Sequence, residues 1–258
     1  RSLVPNLFTV LNVFFGFLCI IHAMQGRYML AGLYVVFSAV CDTLDGIMAR
    51  LTRSASEFGV ELDSLADIVS FGAAPSVLVY ALFLKAHGPF GSLLAAFQLL
   101  FGALRLARFN VQLTGFHKDH FVGVPIPLAA LTIVSFMFFF TPGTIAKDMQ
   151  LQYAYMITIF VCSVLMISTI RYPVLPSISL RTLRRQPLLV PLLLLMIGFL
   201  VLTKGKALFP ILAAIILSGV LRATVSAVLR CLPFTRVVPA DSAGDSLPLD
   251  PESRRRCI

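Results

Sequence analysis

Residues 42–67 read DTLDGIMARLTRSASEFGVELDSLAD, and this stretch decides both the fold and the candidate function. It holds six of the twelve acidic residues of the chain, and four of them are aspartates: Asp42, Asp45, Asp63 and Asp67. The segments on either side are apolar over lengths that suffice to cross a membrane. Because ionisable side chains are costly in such surroundings, we expect these aspartates to serve a function.

The composition of the whole chain predicts an all-α, polytopic integral membrane protein. Of the residues, 58% are hydrophobic and 13% are charged, and the mean hydropathy is +0.91. Apolar runs of about 20 residues predict about eight transmembrane helices. We place these helices at residues 3–24, 28–51, 60–85, 90–112, 122–141, 150–170, 187–203 and 207–229. Pro75, Pro125 and Pro127 are expected to kink or open the helices that contain them.

The basic residues predict how the chain is oriented. With eight spans, 16 of the 21 Lys and Arg residues lie on the side of both termini and five on the other side. This bias puts the termini and the aspartates at the cytoplasmic face, of the plasma membrane or of a bacterial inner membrane. A nucleic-acid partner is not expected, because no basic soluble domain is present. We expect a transmembrane catalytic domain at 1–231 and a disordered cytoplasmic tail at 232–258, rich in Pro, Ser, Asp and Arg.

Helical periodicity groups the four aspartates. Asp42 and Asp45 are three residues apart and share one face of the second helix. Gly59, Asp63 and Asp67 are spaced by four and share one face of the third. Two adjacent helices therefore present four carboxylates towards each other. Gly46 and Ala49 continue the first face with little bulk, where a ligand can approach.

Four carboxylates in one partly dehydrated pocket require counter-charge. Mg²⁺ and Mn²⁺ prefer oxygen ligands, and carboxylates shared between two ions are typical of two-metal sites. Such a site binds pyrophosphate well, because the metal ions neutralise its charge and that of the leaving group. The pattern therefore indicates phosphoryl transfer from a diphosphate-bearing donor at a membrane surface.

The spacing D-x2-D-G-x2-A-R-x8-G-x3-D-x3-D resembles the signature of the CDP-alcohol phosphatidyltransferase family, and every defined position is matched. The resemblance implies that Asp42, Asp45 and Asp63 bind two divalent cations, and that Asp67 completes the metal site and acts as general base. It also implies a CDP-lipid site, which would be lined by Asp45, Gly46, Ala49, Arg50 and Gly59.

Further segments resemble the branch of the family that uses serine as acceptor. They are PNLFT at 5–9, ELDSLADIVSFGAAP at 61–75, RLARFN at 105–110, GVPIP at 123–127 and RYP at 171–173. The implied reaction converts CDP-diacylglycerol and L-serine into phosphatidylserine and CMP. The resemblance also implies a homodimer that works among membrane lipids.

Two polar residues of the first helix are candidates for binding the CDP-lipid. Asn6 and Thr9 lie three residues apart in an otherwise apolar span, where polar side chains need partners. We expect contacts to the nucleotide or the pyrophosphate; the alternative is a hydrogen bond between helices.

Basic residues near the aspartates are candidates for binding serine. Arg105 and Arg108 share a helix face and are suited to hold a carboxylate bidentately. The alternative is that both side chains snorkel to the membrane surface. Arg53 and Ser56, in the connection after the second helix, are weaker candidates for the same role.

Three other functions fit parts of the pattern. One is transfer from the same donor to glycerol 3-phosphate, inositol phosphate or choline, whose pockets should differ in basic or aromatic residues. Another is transport of divalent cations. Two observations argue against transport: the carboxylates lie near one membrane face, and no inverted repeat is visible in the sequence. The last is a non-catalytic scaffold, which would not need a complete set of carboxylates.

Overall fold

A computed structural model describes residues 3–52, 57–113, 123–168 and 205–231, and these ranges form helices joined by short connections. The elements are α1 (Leu3–Met24), α2 (Tyr28–Thr52), α3 (Glu57–Asp67), a π-helical turn (Ile68–Ala73), α4 (Ala74–Leu82), a 3₁₀ turn (Leu84–His87), α5 (Gly88–Leu113), α6 (Ile126–Phe140), α7 (Pro142–Lys147), α8 (Met149–Ile167) and α9 (Leu208–Cys231). The all-α prediction is confirmed.

Five helical stretches are long and apolar enough to cross a membrane, so the chain is an integral membrane protein. They are Asn6–Met24, Tyr28–Met48, Phe58–Leu82, Leu84–Val111 and Met149–Ile167. Two shorter apolar helices, Ile126–Phe140 and Leu208–Arg222, fall where further spans are predicted. The span predicted at 187–203 and the tail at 232–258 lie outside the described residues. The count of eight spans therefore stays a prediction.

A tight turn folds α1 and α2 into a hairpin. Gly26 adopts a φ of +75°, which a residue with a side chain rarely adopts. The backbone N–H of Arg27 donates to the carbonyl of His22 at 2.9 Å, which closes the end of α1. Further along, the Ser38 hydroxyl donates to the carbonyl of Asn12 at 3.1 Å. The hairpin therefore places the first turns of α1 beside the last turns of α2, which carry Asp42 and Asp45.

The π-helical turn between α3 and α4 ends two residues before Pro75. Proline has no backbone N–H, so the carbonyl four residues earlier, that of Phe71, lacks its usual helical donor. Gln98 of α5 supplies a substitute, because its Nε2 donates to this carbonyl at 3.1 Å. Ser163 of α8 in turn donates to Gln98 Oε1 at 3.5 Å. The expected break near Pro75 is thus a change of helical pitch. Side chains of α5 and α8 stabilise it through the hydrogen bonds of Gln98 and Ser163.

Helix α1 packs closely against this π-helical turn. A Cβ atom on Gly16 would lie only 2.8 Å from the Cα of Ser70, so no larger residue fits there without a shift of the backbone. The Ser70 hydroxyl donates to the carbonyl of Asn12 at 2.8 Å. These contacts fix the chain that follows Asp67 against the middle of α1.

An aromatic cluster ties the remaining helices together. The Tyr155 ring stacks on Phe136 at 4.3 Å and on Phe83 at 5.2 Å between centroids. The Tyr155 hydroxyl donates to the carbonyl of Ile133 at 2.7 Å, so this fully buried side chain is satisfied. The cluster joins the end of α4 to α6 and α8.

Candidate active site and metal centre

The ends of α2 and α3 bring the predicted carboxylates together. One carboxylate oxygen from each of Asp42, Asp63 and Asp67 lies within 4.8 Å of the others. Asp67 is 8% exposed, and the other two carboxylates are half-buried. The four-residue spacing of Asp63 and Asp67 puts both side chains on one face of α3, and Asp42 of α2 lies against that face.

Asp45 lies beside this group and faces α1. Its carboxylate interacts with the hydroxyl of Thr9 and electrostatically with Asp42 and Asp63. Asp45 and Thr9 are 6% and 4% exposed, so this contact is enclosed by protein. Thr9 therefore contacts the acidic cluster, and its predicted role in binding the CDP-lipid stays a prediction.

The cluster fits a divalent cation. Mg²⁺ binds oxygen at about 2.1 Å, so oxygens around one ion lie about 3 to 4.2 Å apart, and only small side-chain movements are needed here. One oxygen each of Asp45, Asp63 and Asp67 is buried without a hydrogen-bond partner. Buried carboxylate oxygens normally have partners, and hard cations are the partners that suit such oxygens.

Asp42 and Asp67 lie close enough for their carboxyl groups to interact. Two carboxylates this close repel each other unless a positive charge lies nearby. A divalent cation held by Asp42, Asp63 and Asp67 would supply that charge.

The two predicted serine-binding arginines of α5 have different surroundings. Arg105 is half-buried, interacts electrostatically with Asp67 and has a buried Nε without a partner. Arg108 is exposed. The structure therefore brings Arg105 to the carboxylates and leaves the Arg108 side chain at the surface.

The small residues of the signature lie on the helices that carry the aspartates. Gly46 follows Asp45 in α2, and Gly59 lies one turn before Asp63 in α3; both are half-buried. Asn6 lies in α1 one turn before Thr9 and is half-buried as well. The binding roles predicted for these three residues stay predictions.

The remaining predicted residues lie at the edge of the described chain or beyond it. Helix α2 continues through Ala49 and Arg50 to Thr52. Arg53 and Ser56 lie outside the described residues. The roles predicted for these four residues therefore remain predictions.

Sequence reasoning missed polar residues that surround the cluster. Asn12 of α1 is fully buried, and both polar atoms of its side chain lack a partner. Asn110 of α5 donates through Nδ2 to the Ser64 hydroxyl at 3.1 Å, which joins α5 to α3 beside Asp63. The signal for Asn12 was present in the sequence, since it continues the three-residue spacing of Asn6 and Thr9.

Comparison with known proteins agrees with this geometry. Residues 2–167 match the family model described as CDP-alcohol phosphatidyltransferase. A Helicobacter pylori protein named CDP-diacylglycerol–serine O-phosphatidyltransferase is 39% identical over 176 residues, which cover 66% of this chain and 72% of that relative. A Bacillus subtilis protein of the same name is 33% identical over 66% of this chain and 89% of the relative. An archaetidylserine synthase from Methanothermobacter thermautotrophicus is 39% identical over 66% of this chain and 69% of the relative.

Proposed function

This chain belongs to the CDP-alcohol phosphatidyltransferase family, and on that premise we propose that it transfers the phosphatidyl group of CDP-diacylglycerol to the hydroxyl of L-serine. The products are phosphatidylserine and CMP. The observation that carries the proposal is the convergence of Asp42, Asp63 and Asp67 within 4.8 Å at the ends of two membrane helices.

The choice of serine as acceptor has separate support. The Helicobacter and Bacillus relatives are named for transfer to serine, and the archaeal relative is named for an archaetidylserine product. These names share serine and differ in the lipid part. We therefore propose serine as the acceptor and CDP-diacylglycerol as the donor. A donor that carries an archaetidyl group is the alternative lipid substrate.

The metal site would hold two divalent cations, Mg²⁺ or Mn²⁺. We assign the ligands to Asp42, Asp45, Asp63 and Asp67, since they are the acidic residues that interact with one another here. When bound, such ions neutralise charge on the diphosphate and on the departing CMP. The helices hold the carboxylates in place before the ligand arrives, which lowers the cost of organising the site.

Asp67 is the proposed general base. The hydroxyl of serine is a poor nucleophile, so a nearby carboxylate has to accept its proton during attack. The hydroxyl oxygen forms a bond to the phosphorus that bears diacylglycerol, and the bond from this phosphorus to the oxygen of CMP breaks. The proton passes to Asp67 and the electron pair of the broken bond leaves with CMP, so the step balances.

The CDP-lipid would lie between α1 and the ends of α2 and α3. We propose Asn6 and Thr9 as contacts to the nucleotide or diphosphate, since Thr9 already touches Asp45. The other proposed contacts are residues of the signature. They are Asp45, Gly46, Ala49, Arg50 and Gly59.

Arg105 is the favoured residue for the carboxylate of serine. Its guanidinium lies close enough to Asp67 to interact with it, and its Nε has an unused hydrogen. A substrate held by Arg105 would therefore present its hydroxyl near the base. Arg108, Arg53 and Ser56 are retained as secondary candidates.

Orientation, assembly and domain boundaries complete the proposal. The excess of Lys and Arg on one side supports a cytoplasmic active site and cytoplasmic termini. We further propose a homodimer, a catalytic transmembrane domain at 1–231 and a cytoplasmic tail at 232–258. The lipid tails of donor and product would remain in the bilayer while the head group enters the site.

The test is an acceptor panel with purified protein in detergent micelles. CDP-diacylglycerol and Mn²⁺ are supplied with labelled L-serine, glycerol 3-phosphate, inositol phosphate or choline, and labelled lipid and CMP are measured. We expect product from serine alone. Product from another acceptor would retain the chemistry and overturn serine as the substrate, and replacing the donor by its archaetidyl counterpart identifies the preferred lipid.

A further inference from the structure

The described part of the chain contains six buried side-chain nitrogen and oxygen atoms without a hydrogen-bond partner. They are Asn12 Nδ2 and Oδ1, Asp45 Oδ2, Asp63 Oδ1, Asp67 Oδ1 and Arg105 Nε. Three of these side chains are proposed metal ligands, and Arg105 is the proposed serine contact. Asn12 is the remaining member, and neither the signature nor the names of the relatives gives it a role.

The backbone of Asn12 lies between the two segments that carry the carboxylates. Its carbonyl accepts hydrogen bonds from the hydroxyls of Ser38, at 3.1 Å, and Ser70, at 2.8 Å. Ser38 lies one helical turn before Asp42 in α2, and Ser70 follows Asp67 by three residues. Both segments are therefore fixed to α1 at Asn12.

The direction in which helical side chains lean leads us to expect the amide of Asn12 on the side of the acidic cluster. A helical side chain leans towards the N-terminus of its own helix. The Asn12 amide thus extends back along α1 towards the turn of Thr9, whose hydroxyl contacts Asp45. Helix α2 runs antiparallel to α1, so the side chain of Asp42 leans towards Ser38. We therefore expect the side chains of Asn12 and Asp42 at a similar height along the helix pair.

Burial makes an unpartnered amide in this position unusual. Asn12 is 0% exposed, so its amide is out of contact with bulk solvent. A buried primary amide without hydrogen bonds is destabilising, and such groups in folded proteins call for an explanation. An amide nitrogen donates hydrogen bonds, and an ionised carboxylate only accepts them, so Asn12 complements the neighbouring cluster.

We propose that Asn12 is a positioning residue for the cation site. When a cation is bound, the Asn12 Nδ2–H donates to a carboxylate oxygen of Asp42 or Asp67, and this hydrogen bond fixes the orientation of the two ligands. Partners of this kind orient metal ligands in many proteins. The inference rests on the proposed function in that the cluster must bind a divalent cation, but it does not depend on which alcohol accepts the phosphatidyl group.

The test measures Mn²⁺ binding directly, with purified protein in detergent and without lipid or serine. Free Mn²⁺ is counted by its electron paramagnetic resonance signal for the parent protein and for Asn12→Leu, which is similar in size and apolar. We expect Mn²⁺ affinity to fall by about tenfold or more. The thermal stability of the metal-free protein should stay equal or rise, because an unpaired amide is removed while the carbonyl still accepts from Ser38 and Ser70.

Two further variants control for packing. Asn12→Ala removes the amide without introducing a branched side chain, and it should lose Mn²⁺ affinity as well. Gln152→Leu makes the same chemical change at another buried position, where Nε2 donates to the carbonyl of Ala146 at 3.2 Å. This variant should lose thermal stability and keep the parent affinity for Mn²⁺.

The outcomes separate the inference from the proposed function. Parent protein that binds Mn²⁺, with both Asn12 variants within twofold of it, would overturn the role of Asn12 alone. A loss of affinity that comes with a matching loss of thermal stability in the metal-free protein would make Asn12 a packing residue and also overturn it. Parent protein that fails to bind Mn²⁺ would overturn the metal site and the inference together.

Discussion

Asp67 and Asp45 share one cluster but have different neighbours. Asp67 contacts Asp42 and lies near Arg105, where the acceptor is proposed to bind. Asp45 contacts Thr9 on the side proposed for the CDP-lipid. Substitution of the two residues should therefore affect different steps of the same reaction.

We predict that Asp67→Asn keeps measurable CDP-lipid binding and loses turnover. The amide has nearly the same shape but cannot accept the proton of serine, and loss of general-base catalysis lowers the rate about 10²- to 10⁴-fold. Asp45→Asn should weaken both binding and rate, because it weakens a proposed metal ligand. Binding of labelled CDP-diacylglycerol and initial rates of CMP release measure the two effects. Near-normal turnover of Asp67→Asn would remove Asp67 from the base role.

The sequence predicts the positions of some site residues well and those of others poorly. Asp42, Asp63 and Asp67 could be grouped because helical spacing of three or four fixes which side chains share a face. The three-residue spacing of Asn6, Thr9 and Asn12 is visible in the sequence, but the missing partners of the Asn12 amide are visible only in the folded structure. Arg105 and Arg108 share a helix face, and only the packing of α5 distinguishes the half-buried side chain from the exposed one.

Among the helices, the π-helical turn after α3 determines how Asp67 is supported. Pro75 cannot donate to the carbonyl of Phe71, and Gln98 donates in its place. We predict that Gln98→Leu destabilises the protein by about 1–3 kcal/mol, because the buried carbonyl loses its partner. In a Pro75→Ala background, the N–H of residue 75 can donate to Phe71, so the same substitution should cost less. Unfolding curves of the four proteins in micelles measure the difference, and equal costs in both backgrounds would contradict this account.

The close approach of α1 to the π-helical turn leads to another prediction. Gly16→Ala places a methyl group 2.8 Å from the Cα of Ser70 and should destabilise the protein by about 1–3 kcal/mol through overpacking. Gly143→Ala in α7 is the matched control, since nothing lies within 4 Å of the added Cβ. Thermal unfolding of both variants tests the contact. Equal stability of the two variants would show that α1 and the π-helical turn are not in tight contact at Gly16.

Helix positions were more predictable than helix details. Apolar run lengths predicted α1 and α2 closely, because a membrane span requires about 20 consecutive apolar residues. The run at 60–85 was expected to be kinked at Pro75. That the break is a π-helical turn depends on Gln98 and Ser163 in other helices, so the sequence around Pro75 does not specify it. The short helix α7 was not predicted, because its six residues are too few to show periodicity.

For the whole molecule, orientation in the membrane follows from charge. The basic residues predict that the start of α3 faces the cytoplasm and that α7 faces the other side. In a cysteine-free background, Glu61→Cys and Lys147→Cys each place a thiol at an exposed position. A membrane-impermeant maleimide should label position 61 only in inside-out vesicles and position 147 only in right-side-out vesicles. The reverse pattern would invert the topology and place the active site outside.

Composition and a single long motif were sufficient to predict an all-α membrane protein with an acidic site. Family membership over residues 2–167 agrees with that prediction. The number of spans, the domain boundaries and the proposed homodimer remain predictions, because they concern segments or contacts beyond the described residues. Contacts between chains are not encoded in local periodicity.

The most direct test of the account asks whether phosphatidyl transfer to serine requires the acidic cluster and a divalent cation. Purified protein in micelles is given CDP-diacylglycerol and labelled serine, and labelled lipid and CMP are measured as Mn²⁺ is titrated and then removed with EDTA. We predict labelled lipid and CMP in equal amounts, rising with Mn²⁺, abolished by EDTA and strongly reduced with Asp45→Asn at the same Mn²⁺ concentration. Transfer that persists in EDTA, or that Asp45→Asn carries out at the parent rate, would contradict the account.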